Sequence, residues 1–370
     1  MREEWRLLRS FLPPNWRELA VEEGALRRHR GVTSIENLLR VLLMHLSCGY
    51  SLRETAARAR RAGLAEMSDV ALMKRLRQAG GWFQALCEAL FQEQGLSRSS
   101  EERCEFRLVD GTTVREPGKS GSLWRIHYSV RLPTLECDFF RVTGVKGAGS
   151  GESLKQFPIR PGDRVVADRG YARAPGIVHV AAAGGEVLVR VNTRALAFET
   201  ADGNSFDLLT RVRDVRSAGE SQSWSAQVVA ADGARVSGRV CAVRKSREAI
   251  RRAQKKLRLD ARRRRKKLQP STLEFARFVI VFTTFPEEEF SAEAVLEWYR
   301  IRWQVELVFK RFKSLAQLGH LPKYNEDSAR AWLYGKLLLA LLVEKVIRHA
   351  ESISPWGYDL EKAQEPQRVA

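Results

Sequence analysis

Residues 291–314, SAEAVLEWYRIRWQVELVFKRFKS, run without a glycine or proline. Ser291 offers a side-chain oxygen as N-cap, and Glu293 falls in the first turn, where free amide groups favour negative charge. The stretch therefore reads as one long helix. At about 100° per residue, Trp298, Ile301, Val305, Val308, Phe309 and Phe312 gather on one side. So broad an apolar stripe must be buried, which requires a second layer of structure against it. Tyr299, Arg302, Glu306 and Lys313 share another face, within an arc of roughly 60°, and set a carboxylate between cations. Alone, that face also suits an ordinary surface helix, since Arg302 and Glu306 form a common i,i+4 pair.

Two acids upstream give the helix company. Asp110 follows the apolar, alternating run 106–109 and precedes Gly111-Thr112-Thr113, the pattern of a strand running into a turn. Asp168 ends a similar run, 164–167, with Arg169-Gly170-Tyr171 beyond it. Tyr-x2-Arg-x3-Glu-x6-Lys, filled by Tyr299, Arg302, Glu306 and Lys313, resembles the signature of the IS4 family of insertion-sequence transposases. Asp-Gly-Thr-Thr from Asp110 and Ala-Asp-Arg-Gly-Tyr around Asp168 resemble that family's first and second acidic motifs. The resemblance spans roughly residues 105–313.

The resemblance implies an α/β fold, an RNase H-like mixed sheet with flanking helices, and an enzyme that cleaves and joins DNA at the terminal inverted repeats of its element. It implies Asp110, Asp168 and Glu306 as catalytic metal ligands, with Asp110 bridging two Mg2+ ions for which Mn2+ can substitute. Such ions act about 3.5–4 Å apart, one at each oxygen in line with phosphorus, and hard cations take carboxylate oxygens. Arg302 and Lys313 are expected on phosphates, Arg as a bidentate fork and Lys as a point charge. Tyr299, Lys310, Arg169 and Tyr171 are expected to contact DNA nearby. The resemblance further implies a homodimer acting in a synaptic complex.

Composition supports a nucleic-acid partner: 63 Lys and Arg against 44 Asp and Glu leave a net charge of +19. An anionic membrane surface would want an amphipathic or lipidated anchor, and none is evident. The first residues, MREEWRLL, mix both charge signs, and the apolar runs are too short to span a bilayer, so a cytoplasmic, prokaryotic protein associated with the nucleoid when on DNA is expected. Cys48, Cys87, Cys104, Cys137 and Cys241 are scattered without a C-x2-C pair, which favours reduced structural thiols.

Periodicity divides the chain. Residues 1–100 read as helical: Thr33-x-x-Glu36 and Ser51-x-x-Glu54 look like capping boxes, Gly63 ends the second helix, and Ser68 starts a third carrying Val70, Leu72, Met73 and Leu76. This fits either a small helical bundle or a helix-turn-helix DNA reader, the basic Arg58, Arg60, Arg61, Lys74, Arg75 and Arg77 favouring DNA. From 101 to 185, strands at 106–110, 125–131, 138–142 and 163–168 and a helix at 175–183 suit the first part of the catalytic domain. Residues 186–275 form an insertion, mainly β, with an Asp232-Gly233 hairpin signal. A basic helix follows, ended by Pro270; residues 244–267 hold fourteen Lys and Arg against Glu248 and Asp260. Residues 276–350 return to the catalytic domain with the Glu306 helix, and 351–370 form a polar tail. Trp332, Leu333, Leu337 and Leu338 look like one face of a closing helix.

Other residues are set aside. His127, His179 and His320 are lone imidazoles, and Mg2+ prefers oxygen. The glycine-rich run 144–151 lacks the Gly-Lys-Ser/Thr of a phosphate loop and reads as a turn. Asp138 has no ligand-like spacing, and Asp163 reads as a turn residue. The rival functions are a different RNase H-like nuclease and a transposase-derived regulator that binds DNA without cutting it.

Overall fold

A computed structural model of the protein describes residues 2–96, 105–115, 123–144, 151–193, 195–315, 318, 321–322 and 325–352. Cys104, most of the glycine-rich run, His320, the tail beyond 352 and the side chain of Lys313 lie outside the described residues. The chain forms two compact units: one of residues 1–97, 114–122 and 311–370, the other of 98–113 and 123–310.

The first unit begins with helices α1 (Arg2–Ser10), α2 (Trp16–Glu22), α3 (Ile35–Cys48), α4 (Leu52–Arg61), α5 (Asp69–Gln78) and α6 (Gly80–Leu96). Their starts follow local chemistry: the hydroxyls of Ser51 and Ser68 accept from the amides of Glu54 and Ala71 at 3.1 and 3.2 Å. At α3 the cap sits one residue later than the capping-box pattern suggests. Ser34 takes the Asn37 amide at 3.1 Å, Thr33 takes the Asn37 side chain, and Glu36 turns to the Trp5 indole at 2.7 Å. Leu72 and Leu76 are buried on α5, but Val70 is exposed, because it points off the packed face.

The second unit is built on one nine-stranded sheet. In chain order its strands are β1 (Glu105–Arg115), β2 (Leu123–Arg131), β3 (Cys137–Gly144), β4 (Asp163–Ala167), β5 (Glu186–Arg190), β6 (Phe198–Glu199), β7 (Ser221–Val229), β8 (Arg235–Arg244) and β9 (Phe278–Thr283). Their order across the sheet is β3-β2-β1-β4-β5-β9-β8-β7-β6. β1, β4 and β5 are mutually parallel, whereas β2 and β3 pair antiparallel. The 3-2-1-4-5 half, mixed and flanked by helices, is the RNase H-like arrangement. β4 is buried along its whole length, as a central parallel strand covered on both faces should be.

Three sequence expectations change here. β1 runs on through Gly111-Thr112-Thr113 to Arg115 instead of turning after Asp110. Asp163 is the first residue of β4, and its carboxylate lies 2.8 Å from buried Arg107. Asp138 reaches the same guanidinium at 2.8 Å, so both acids stabilise the sheet. The insertion's strands also join the catalytic sheet rather than forming their own, since β8 pairs with β9 from Arg239 to Arg244. The Asp232-Gly233 turn does close the β7–β8 hairpin, with Gly233 at φ +85°.

Helices α7 (Ala174–Ala182), α8 (Leu208–Arg213), α9 (Arg247–Arg263) and α10 (Pro270–Phe275) come between these strands. The basic helix α9 buries none of its residues. It ends at Arg263, and Pro270 opens α10 instead of closing α9, its fixed φ and missing N–H costing nothing in a first helical turn.

The long helix of residues 291–314 is two helices, α11 (Ala292–Ile301) and α12 (Trp303–Leu315). The break is at Arg302, whose amide bonds Tyr299 O and whose carbonyl takes the Val305 amide, each at 3.2 Å in tighter three-residue turns. Each half is anchored to a different strand. Trp298 stacks on Phe106 of β1, centroids 3.6 Å apart, and Phe309 stacks on Tyr128 of β2 at 4.0 Å. A bend lets one amphipathic stretch satisfy both contacts on a twisted sheet.

The last helix, α13 (Glu326–Ser352), belongs to the first unit and packs on α3, α5 and α6. Trp332, Leu333, Leu337 and Leu338 are all buried there. Gly335 is required by close approach: a Cβ would lie 2.4 Å from Leu46 Cδ1 and 3.0 Å from the Phe83 ring.

Candidate active site

Parallel pairing of β1 and β4 aligns Val109 with Ala167, so Asp110 and Asp168 emerge side by side. This is the C-terminal edge where parallel strands expose loop residues to ligand. Each carboxylate is oriented by a nearby amide: Asp110 Oδ1 accepts from Gly111, within β1, and Asp168 Oδ1 from Gly170, in the turn after β4, both at 2.7 Å. α12 brings Glu306 to the same place in its first turn.

The bend at Arg302 sets the site's electrostatics. Arg302 Nη2 is 2.8 Å from Glu306 Oε1, and Nη1 is 3.8 Å from Asp110 Oδ2. Tyr128 donates to the same Asp110 oxygen at 3.4 Å. Burial pushes the Asp110 carboxyl up to about 6; the neighbouring Asp168 and Glu306 charges add to this, against the Gly111 amide and Arg302. Burial and the adjacent Asp110 hold the Tyr128 phenol far above its usual range, so it serves only as a donor.

Other predicted residues separate. Tyr299 is half-buried, and Arg169 and Lys310 are exposed. Tyr171, expected on DNA, is fully buried in the core between β4 and α7, and its ring packs near Phe157. Its residue type beside Asp168 invited that reading; its position in an apolar cluster excludes direct contact. Burial and the charges of Arg125 and Arg141 lower His127 to about 4, leaving a neutral imidazole beside Thr143.

Spacing gave no sign of Tyr128 or of Glu152. Burial raises the Glu152 carboxyl, and Asp168 raises it further, while Arg125, 3.9 Å away, opposes both.

The donor set fits a divalent cation. Its donors are all oxygen, and the Arg302 guanidinium is the countercharge that Asp110 and Glu306 share. Among the described residues, no three His, Cys, Asp or Glu side chains are drawn close enough to hold an ion. Arg302 instead stands between Asp110 and Glu306, where a cation would neutralise the same charges.

A family model described as "Transposase DDE domain" matches residues 145–342. The InsL protein of insertion sequence element IS186A from Escherichia coli K12 is 34% identical over 344 residues, covering 92% of each chain. The transposase for insertion sequence element IS421 of Escherichia coli is 34% identical over 345 residues, again 92% of each. The transposase for IS1151 of Clostridium perfringens matches locally, 27% over 92 residues, 25% of this chain and 20% of that one. No helix among the described residues is long and apolar enough to cross a membrane.

Proposed function

The chain belongs to the DDE transposase family, an insertion-sequence enzyme that acts on DNA with a divalent metal, and we propose that Asp110, Asp168 and Glu306 are its catalytic carboxylates. The observation that carries this reading is the Arg302 guanidinium held between Asp110 and Glu306 while burial and like charge push the Asp110 carboxyl up to about 6. Such charge crowding is costly in a fold and is relieved by a cation.

Asp110, Asp168 and Glu306 would hold two Mg2+ ions, with Mn2+ as substitute. When bound, such ions activate water or a 3′ hydroxyl and stabilise the leaving oxyanion. Arg302, once displaced from the carboxylates, would grip a phosphate beside the cut, with Lys313, Lys310 and Arg169 as further phosphate contacts and Tyr299 as a donor. The helices α4 and α5 and the basic α9 would bind the terminal inverted repeats, two protomers acting together in a synaptic complex.

The test is a strand-cleavage and joining assay on DNA carrying the flanking repeats, with Mg2+, with EDTA and with Glu306→Gln. Metal-dependent joining that disappears in the variant is expected. Tight end binding without cutting in any metal would replace this reading by that of a regulator.

A further inference from the structure

Glu152 lies in the loop after β3, outside every motif that marks the three proposed carboxylates. A Cβ placed on Gly170 would lie 1.9 Å from Glu152 Oε2 and 3.1 Å from Asp168 Oδ1. The two carboxylates thus face each other across a gap no wider than those distances together, and only a residue without a Cβ leaves the gap open. A second observation points into the same space. Tyr171 is fully buried, and its hydroxyl has no hydrogen-bond partner. That hydroxyl lies 2.8 Å from where a Cβ on Gly111 would sit, and Glu152 Cγ lies 3.6 Å from the same point. Buried phenols ordinarily find a partner, so an orphaned one beside two facing carboxylates marks a place for a polar ligand.

We propose that Glu152 is a fourth carboxylate of this centre: with Asp168 it takes hold of a divalent cation and its bound water, and the Tyr171 phenol donates to the same cluster of oxygens. This rests on the assignment of Asp168 above. The Arg125 guanidinium forms a long ion pair with Glu152 at 3.9 Å, and a carboxylate, with about four lone-pair sites, keeps acceptors for a further ligand. Gly170 and Tyr171 in the Asp-Arg-Gly-Tyr motif then acquire functions: one keeps the gap clear, and the other closes it with a donor. Because Mg2+ retains several waters, a carboxylate that binds such water orients the ion without touching it.

The experiment is Mn2+ binding to the full chain, read by the loss of the free-ion EPR signal, for wild type, Glu152→Gln, Tyr171→Phe and Asp168→Asn, with thermal unfolding of each metal-free protein alongside. Glu152→Gln should weaken Mn2+ binding about tenfold or more, Tyr171→Phe should weaken it less, and the metal-free proteins should unfold no earlier than wild type. Unchanged Mn2+ binding in Glu152→Gln, together with its loss in Asp168→Asn, would overturn the proposal and leave the catalytic assignment standing. Binding unaffected by any variant, or absent from wild type, would overturn both.

Discussion

Replacing Asp110 by Asn should stabilise the metal-free protein while abolishing its activity. In the folded chain the Asp110 carboxyl is raised from an ordinary 3.8 to about 6, chiefly by burial. Between those two values the native state binds more protons than the unfolded state, so this residue's contribution is fully present below 3.8 and is lost as pH rises through about 6. At 1.36 kcal/mol per unit, keeping Asp110 ionised at neutral pH costs about 3 kcal/mol. Asn has nearly the same shape and carries no charge, so Asp110→Asn should recover about that much at pH 7.5. The assay is urea unfolding of wild type and variant in EDTA at pH 7.5 and pH 4. The gain should be large at the higher pH and small at the lower, where wild-type Asp110 is largely protonated. Adding Mn2+ should stabilise wild type and leave the variant unmoved. A variant less stable than wild type at pH 7.5, or a difference independent of pH, would refute the electrostatic argument.

Other perturbations probe the scaffold and the DNA face. Trp298→Ala removes the stack on Phe106 that anchors α11 to β1 and should cost about 2–3 kcal/mol by chemical denaturation, with joining activity falling as the Arg302 bend loosens. Gly335→Ala forces a methyl against Leu46 and Phe83; the clash, about 1–3 kcal/mol, should outweigh a gain of about 1 kcal/mol in helix propensity and lower the melting temperature. Changing Arg252, Lys255, Lys256 and Arg263 of α9 together to Gln should reduce the slope of log affinity against log salt by about 3–4 on element-end DNA, with little change in stability because none of the four is buried.

Much of the chain could be read without its structure because local rules govern it. Ser51 and Ser68 cap helices through hydroxyls three residues upstream of the amides they meet, and Asp232-Gly233 closes its hairpin through a left-handed glycine. Asp168 was legible as a strand-end residue and Glu306 as a helical one, since period two and period 3.6 are written in the apolar pattern, whereas Asp110 sits within β1, which runs on to Arg115. The misreadings arose where distant partners decide. One uninterrupted amphipathic run bends at Arg302 because Trp298 and Phe309 stack on different strands of a twisted sheet. Tyr171 turned into the core rather than toward DNA, because the segment after β4 folds back over an apolar cluster.

By itself, the sequence determined which residue types carry charge, where helices such as α4 and α5 start, and that Asp110 and Asp168 follow apolar strand runs while Glu306 lies on a helix. These follow from hydrogen bonds and periodicities confined to a few neighbouring residues. Only the tertiary structure decided that β8 extends the catalytic sheet through β9, that α13 returns to α3, α5 and α6, and that Glu152 faces Asp168 across Gly170. Those contacts join segments far apart in the chain, and their energies depend on burial and shape complementarity, which no linear spacing records.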